Sequence, residues 1–186
     1  MKPLLFPNNV QFWYETLRSM SHIAYGGADF GEVVSTGKRI TDRSVACFRA
    51  AAALFTPVIE PVEIPYEDTT LPGYFYRVDD SGTPRPTLIM HNGFDGTAEE
   101  LHFFGAMAAV ERGDNVLAFD GPGMPGPRHH QGPVFRPDWE SVITPVVDFA
   151  ETLPEVDDSR IALVGLSMGG LLAPPGPPRS STVWPR

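Results

Sequence analysis

Arg160-Ile161-Ala162-Leu163-Val164-Gly165-Leu166-Ser167-Met168-Gly169-Gly170 is the stretch on which the fold turns. Residues 161–164 form a short apolar run suited to a buried parallel strand. Gly-x-Ser-x-Gly follows at once. Small residues on both sides of the serine allow a strained turn that projects its hydroxyl, and Gly170-Leu171-Leu172 then opens a helix. Strand, sharp turn and helix in this order form a nucleophile elbow, which implies acyl-transfer chemistry at Ser167. A serine nucleophile needs a base, and in such an architecture the acid and the histidine come later in the chain. Nineteen residues follow Ser167, and none is Asp, Glu or His.

Working outward, an alternation of strands and helices leads up to the elbow. Residues 87–90 read as a buried strand. Thr97-Ala98-Glu99-Glu100 reads as a capping box that opens a helix to about Arg112, with Gly113 as its stop. Residues 115–119 are the next strand. Residues 138–153 are a helix capped by Asp138 and interrupted by Pro145. This rhythm predicts an α/β fold with a mostly parallel sheet and loops gathered at the strand C-termini. Before it, residues 58–66 alternate with period two and residues 71–78 follow a turn. Prolines in both mark them as antiparallel edge strands. Residues 12–20 and 44–55 read as helices, with loops at Gly26-Gly27 and Gly37. The second helix has one apolar face, formed by Val45, Phe48, Ala52 and Phe55.

His91-Asn92-Gly93-Phe94-Asp95-Gly96 directly follows the strand ending at Met90. Acyl transfer needs two backbone N–H donors aimed at the developing oxyanion. The residue after the nucleophile, Met168, supplies one, and Phe94 in this loop is the candidate for the other. Asn-Gly and Asp-Gly are also ordinary turn dipeptides. Their order and spacing relative to the elbow favour the oxyanion role. His91 is expected to brace this loop and not to act as the base, because it precedes the nucleophile.

Other motifs carry less. Gly121-Pro122-Gly123-Met124-Pro125-Gly126 has dinucleotide-fingerprint spacing, but Pro125 and Pro127 crowd the helix that such a site requires, so a rigid turn at a pocket rim is expected. His129-His130 stand at a surface or substrate rim, with no carboxylate or cysteine at ligand spacing. His22 and His102 read as helix residues. Trp139, Phe149 and the aromatics of residues 12–14 read as packing. Neither a metal nor a cofactor is expected.

Composition narrows the partners. A formal net charge of −9 disfavours nucleic acid. No run approaches the roughly 18 apolar residues of a membrane span, and the first residues do not resemble a signal peptide. The lone Cys47 lies in an apolar run and is expected in the core. A cytoplasmic protein acting on a small-molecule substrate is the expectation, with a homodimer left open.

The run from Thr87 to Gly170 contains His-Asn-Gly-Phe-Asp-Gly, Phe-Asp-Gly-Pro-Gly and Gly-Leu-Ser-Met-Gly-Gly. It resembles the α/β-hydrolases related to 2,6-dihydropseudooxynicotine hydrolase. It is also similar to the dipeptidyl aminopeptidase/acylaminoacyl-peptidase-like hydrolases and the fermentation-respiration switch proteins. The resemblance extends from about Asn8 to Ala173. It implies Ser167 as nucleophile, Met168 and Phe94 as oxyanion donors, a downstream acid and histidine, and a helical N-terminal cap. Residues 1–56 would be that cap segment. Residues 57–173 would be the N-terminal half of the hydrolase core, and residues 174–186 an aberrant proline-rich tail. Many relatives carry a polar residue at the position of Met124. They also place more helices between the segments at residues 36–42 and 43–55, so an internal deletion is expected.

Pro174 to Arg186 breaks the rhythm, because proline inside the elbow helix is ruinous. Shifting the back-translated codons by two bases permits Pro-Arg-Ala-Ala-Ala-Phe-Glu-His-Arg-Val-Ala-Ala, a good helix. A frameshift near Ala173 with premature termination is the expectation, and a genuine proline-rich tail is the alternative. The sequence thus reads as a serine hydrolase cleaving an ester, an amide or an activated C–C bond next to a carbonyl, truncated and inactive as it stands. The rivals are a non-catalytic small-molecule-binding module and a fragment without function.

Overall fold

A computed structural model describes residues 30–173. By contacts the chain divides into two units, Met1–Arg43 and Ser44–Arg186. The readings placed on residues 12–20, Gly26-Gly27, His22 and the tail from Pro174 lie outside the described residues.

In the first unit the described residues are helical. They begin α1 (Phe30–Ala52), which runs through Gly37 without the expected loop or a break before Arg43. In the second unit the elements are β1 (Glu60–Tyr66), β2 (Thr69–Tyr76), β3 (Arg85–His91), α2 (Ala98–Leu101), a π-turn (His102–Ala106) and α3 (Met107–Val110). Then come β4 (Asn115–Phe119), α4 (Pro125–His130), α5 (Glu140–Glu151), β5 (Val156–Gly165) and α6 (Gly169–Leu172). The five strands form one sheet in the order β1-β2-β4-β3-β5. β3 pairs in parallel with β4 and β5, whereas β1–β2 and β2–β4 are antiparallel. The sheet is therefore mixed: β1 and β2 form its antiparallel part, as expected for residues 58–66 and 71–78, and β3, β4 and β5 form the parallel part.

β2, β3 and β4 are covered on both faces, and the two faces sort by the two-residue period. Ile64, Leu71, Phe75, Ile89, Leu117 and Phe119 pack beneath α5 through Val142, Val146 and Ala150. Their neighbours Tyr74, Tyr76, Met90, Val116 and Ala118 pack with Leu101, Ala106 and the end of α1 at Ala52. This three-layer arrangement leaves the loops after β3, β4 and β5 at one end of the sheet.

Several local expectations give way to packing. β2 is internal, because Gly73–Tyr76 pair with β4 while Pro72 lies just past that register and pairs only with β1. Pro145 does not interrupt α5; the buried stripe of residues 142, 143, 146, 147 and 150 holds the helix on the core around it. Asp138 does not cap α5 with its side chain. Its carboxylate instead accepts from Arg136 and from the Ser141 hydroxyl. Thr97 is an N-cap residue by backbone geometry but makes no side-chain cap bond. The helix predicted to reach Arg112 is divided by the π-turn, where Gly105 takes φ +141°. Cys47 is exposed, since it lies off the Val45–Phe48–Ala52 stripe. α4 does form after the glycine-rich turn: Pro125 takes its first position, where the missing N–H goes unused. Among the described residues no helix is long and apolar enough to cross a membrane.

Candidate functional site

The parallel register sets His91 opposite Gly165, so the ends of β3 and β5 are neighbours. The Leu166 N–H donates to the His91 carbonyl at 3.1 Å and joins the two chain exits. Ser167 follows with φ +56°, in the left-handed region that non-glycine residues avoid. Among the described residues β5 is the sheet's edge strand and not a central one.

Glycines make this corner possible. A Cβ on Gly165 would lie 2.1 Å from the Gly169 carbonyl oxygen, so the strand cannot otherwise turn so tightly into α6. A Cβ on Gly169 would lie 2.5 Å from the Asn92 carbonyl oxygen. A Cβ on Gly93 would lie 2.9 Å from both the Ser167 Cβ and the Met168 nitrogen. The loop after β3 thus rests directly on the elbow. The structure brings the segment carrying Phe94 together with Ser167 and Met168. The Ser167 side chain is exposed.

The loop holds itself closed. The buried Asn92 donates from Nδ2 to the Thr97 carbonyl at 2.9 Å, spanning the turn. A Cβ on Gly96 would fall 2.4 Å from that amide group. The His91 imidazole, fully buried, engages the Asn92 carbonyl through Nδ1 at 3.0 Å. Its ring sits against Phe119 and Trp139. Burial pushes its pKa down to about 4, against the pull of the Asn92 carbonyl, so it is neutral near pH 7. A neutral ring donating to that carbonyl braces the loop, as its place in the sequence suggested.

A buried acidic network lies behind the loop. Asp120, just after β4, is buried near the start of α2, where the Ala98 N–H favours its charged form. Burial, then the charge of Glu99, hold its carboxyl well above the usual carboxylate range. Glu99 is itself buried and accepts from the Tyr74 hydroxyl at 2.6 Å. Burial, then Glu99, push that phenol above its ordinary range. These roles of Asn92, Glu99 and Asp120 were missed in the sequence. Asp120 stood in a quoted motif, and its position after an apolar strand was the available signal.

Met124 is fully buried in the core, where its sulfur accepts from the Gly121 N–H. His102 packs among Phe48, Phe55, Tyr76 and Phe103. His129 and His130 end α4. Among the described residues no group of His, Cys, Asp and Glu could hold a metal ion.

The model of an α/β hydrolase family matches residues 88–183, which include both loops and the elbow. The hydrolase acrC of Aspergillus aculeatus is 41% identical over 151 residues, covering 71% of this chain and 35% of the relative. The chain belongs to the α/β-hydrolase family. Another relative in this family is the 20-hydroxy-prefusarin hydrolase FUS2 of Gibberella moniliformis, 38% identical over 138 residues, covering 70% of this chain and 33% of the relative. Among solved structures, 2,6-dihydroxy-pseudo-oxynicotine hydrolase superposes with a TM-score of 0.61 at 28% identity, covering 68% of this chain and 35% of that one. An esterase of Pyrobaculum calidifontis matches with a TM-score of 0.53 at 25% identity, covering 75% and 45% of the two chains. The chain spans about a third of the length of the curated relatives it matches.

Proposed function

We propose that this α/β-hydrolase chain supplies the nucleophile and the oxyanion site of a serine hydrolase. Ser167 attacks a substrate carbonyl, and the backbone N–H groups of Phe94 and Met168 receive the developing oxyanion. The observation that carries this reading is the left-handed Ser167 at φ +56°, with Gly93 packed on its Cβ. Such strain persists where surrounding structure over-determines it and is concentrated at functional sites. The substrate is a small molecule with an ester, an amide or an activated C–C bond next to a carbonyl. Residues 168–186 hold no Asp, Glu or His. The acid and histidine of a complete triad are therefore assigned to the remaining length that the relatives carry. Residues 1–56 serve as the cap segment in this reading and residues 57–173 as core.

With the nucleophile and oxyanion donors alone, acceleration of roughly 10³–10⁴ over water is the expectation. The test is a single-turnover reaction with p-nitrophenyl acetate, followed by mass spectrometry of the acyl adduct. A slow adduct on Ser167, absent in Ser167→Ala, is expected. Equal labelling of both chains would overturn the assignment. The rival reading is a binding module without catalysis. Ligand binding with no Ser167 adduct would select it.

A further inference from the structure

We propose that the Phe94 ring is the specificity surface on the acyl side of Ser167. The substrate class is then carbonyl compounds whose carbonyl bears a flat, uncharged aromatic or conjugated group. The inference rests on the assignment of Ser167 and of the Phe94 amide made above.

Phe94 is 58% exposed, yet its ring is held in place. One face stacks on Phe135, with centroids 5.9 Å apart and planes 16° from parallel. Phe135 stacks in turn on Trp139, at 6.0 Å and 28°, and Trp139 is 2% exposed. Two glycines admit these rings. A Cβ on Gly123 would lie 2.5 Å from Phe135, and a Cβ on Gly121 would lie 2.7 Å from Trp139. Gly123 also takes φ +93°, which only glycine adopts readily. An aromatic ladder thus rises from the core and ends in a ring that offers its other face outward.

The position of that face selects its occupant. Gly93, the preceding residue, touches the elbow at Ser167 and Met168. A carbonyl oxygen held by the Phe94 N–H has its carbon at Ser167, and its substituent leaves past the side chain of the same residue. Aromatic faces favour offset stacking with other π-systems, beyond the gain from apolar area alone. Asp95, the next residue in the chain, is exposed, and its charge disfavours an anionic substituent.

The test titrates the 186-residue chain with methyl benzoate and with methyl cyclohexanecarboxylate, which has the same carbon skeleton but is not flat. Amide shifts of Gly93, Phe94, Ser167 and Met168 report binding. Methyl benzoate should bind roughly two- to twelve-fold more tightly, the size of a stacking contribution. Phe94→Leu keeps the amide and an apolar side chain and should abolish that preference, while Phe94→Tyr should retain it. Equal affinities, no binding of methyl benzoate, shifts elsewhere, or a preference that survives Phe94→Leu would each overturn the proposal. The Ser167 adduct is measured separately. A benzoate preference without an adduct removes the hydrolase assignment and keeps the surface; an adduct without the preference does the reverse.

Discussion

Replacing Gly93 by alanine tests the contact that joins the two halves of the site. The new methyl would stand 2.9 Å from the Met168 nitrogen, 2.9 Å from the Ser167 Cβ and 3.0 Å from the Leu166 carbonyl oxygen. Comfortable carbon contacts begin at about 3.5 Å, so the overlap is about 0.5 Å on three atoms. None of the three is the far end of a flexible side chain. The loop must back away from the elbow, against the Asn92–Thr97 hydrogen bond that holds it closed. Overpacking of this kind costs about 1–3 kcal/mol. In a chain of this size that lowers Tm by roughly 2–12 °C. The loss of acylation should be larger than the loss of stability suggests. A displaced oxyanion donor is worth about 10²–10³ in rate. Gly37→Ala provides the opposite control: nothing lies within 4 Å of its added methyl, within α1. It should gain about 0.5–1 kcal/mol. Thermal melts and the Ser167 adduct rate measure both effects. A Gly93→Ala chain that melts and acylates like the parent would refute the reasoning.

Ser167→Gly should relieve the left-handed strain and raise stability by on the order of 1 kcal/mol while abolishing the adduct; Ser167→Ala should abolish the adduct without that gain. Unchanged melts for Ser167→Gly would show that the elbow stores no strain. His91, held neutral with a pKa of about 4, should make stability fall as pH drops from about 6.5 toward 4, because the unfolded chain takes up the proton first. The full effect is on the order of 3 kcal/mol, and His91→Gln should flatten this window in urea melts. The same pH slope in both chains would exclude His91 as its source. Asp120 acts with the opposite sign: the fold keeps its proton, so its share of stability is lost as pH rises through the raised pKa. Asp120→Asn should therefore gain relative stability at neutral pH, read from the same melts.

The strand–elbow–helix corner was legible because its chemistry is local. Gly165 and Gly169 are required by atoms within five residues of each other or by the loop after the adjoining strand, and the apolar run before them fixes the parallel strand. The β3 loop could be paired with the elbow because the chain order of a parallel sheet puts their ends together. By contrast, Pro72, Pro145 and Pro125 each read as breakers, and each is accommodated. Pro72 lies beyond the β4 register, Pro145 within a helix held by its buried stripe, and Pro125 at a helix start.

What the sequence determined by itself is the order of elements, the serine at the turn and the aromatic and glycine residues around it. Hydrophobic periodicity and backbone sterics act over a few residues and are written directly in the chain. Only the tertiary structure decided which buried polar groups satisfy one another. Asp120 came to lie near the start of α2, where the Thr97 side chain makes no cap bond, Glu99 turned to Tyr74, and His91 closed on Asn92. Burial removes water as a partner, so each such group must be met by whatever the fold brings near. Those meetings depend on which strands lie side by side, and local spacing does not carry that information.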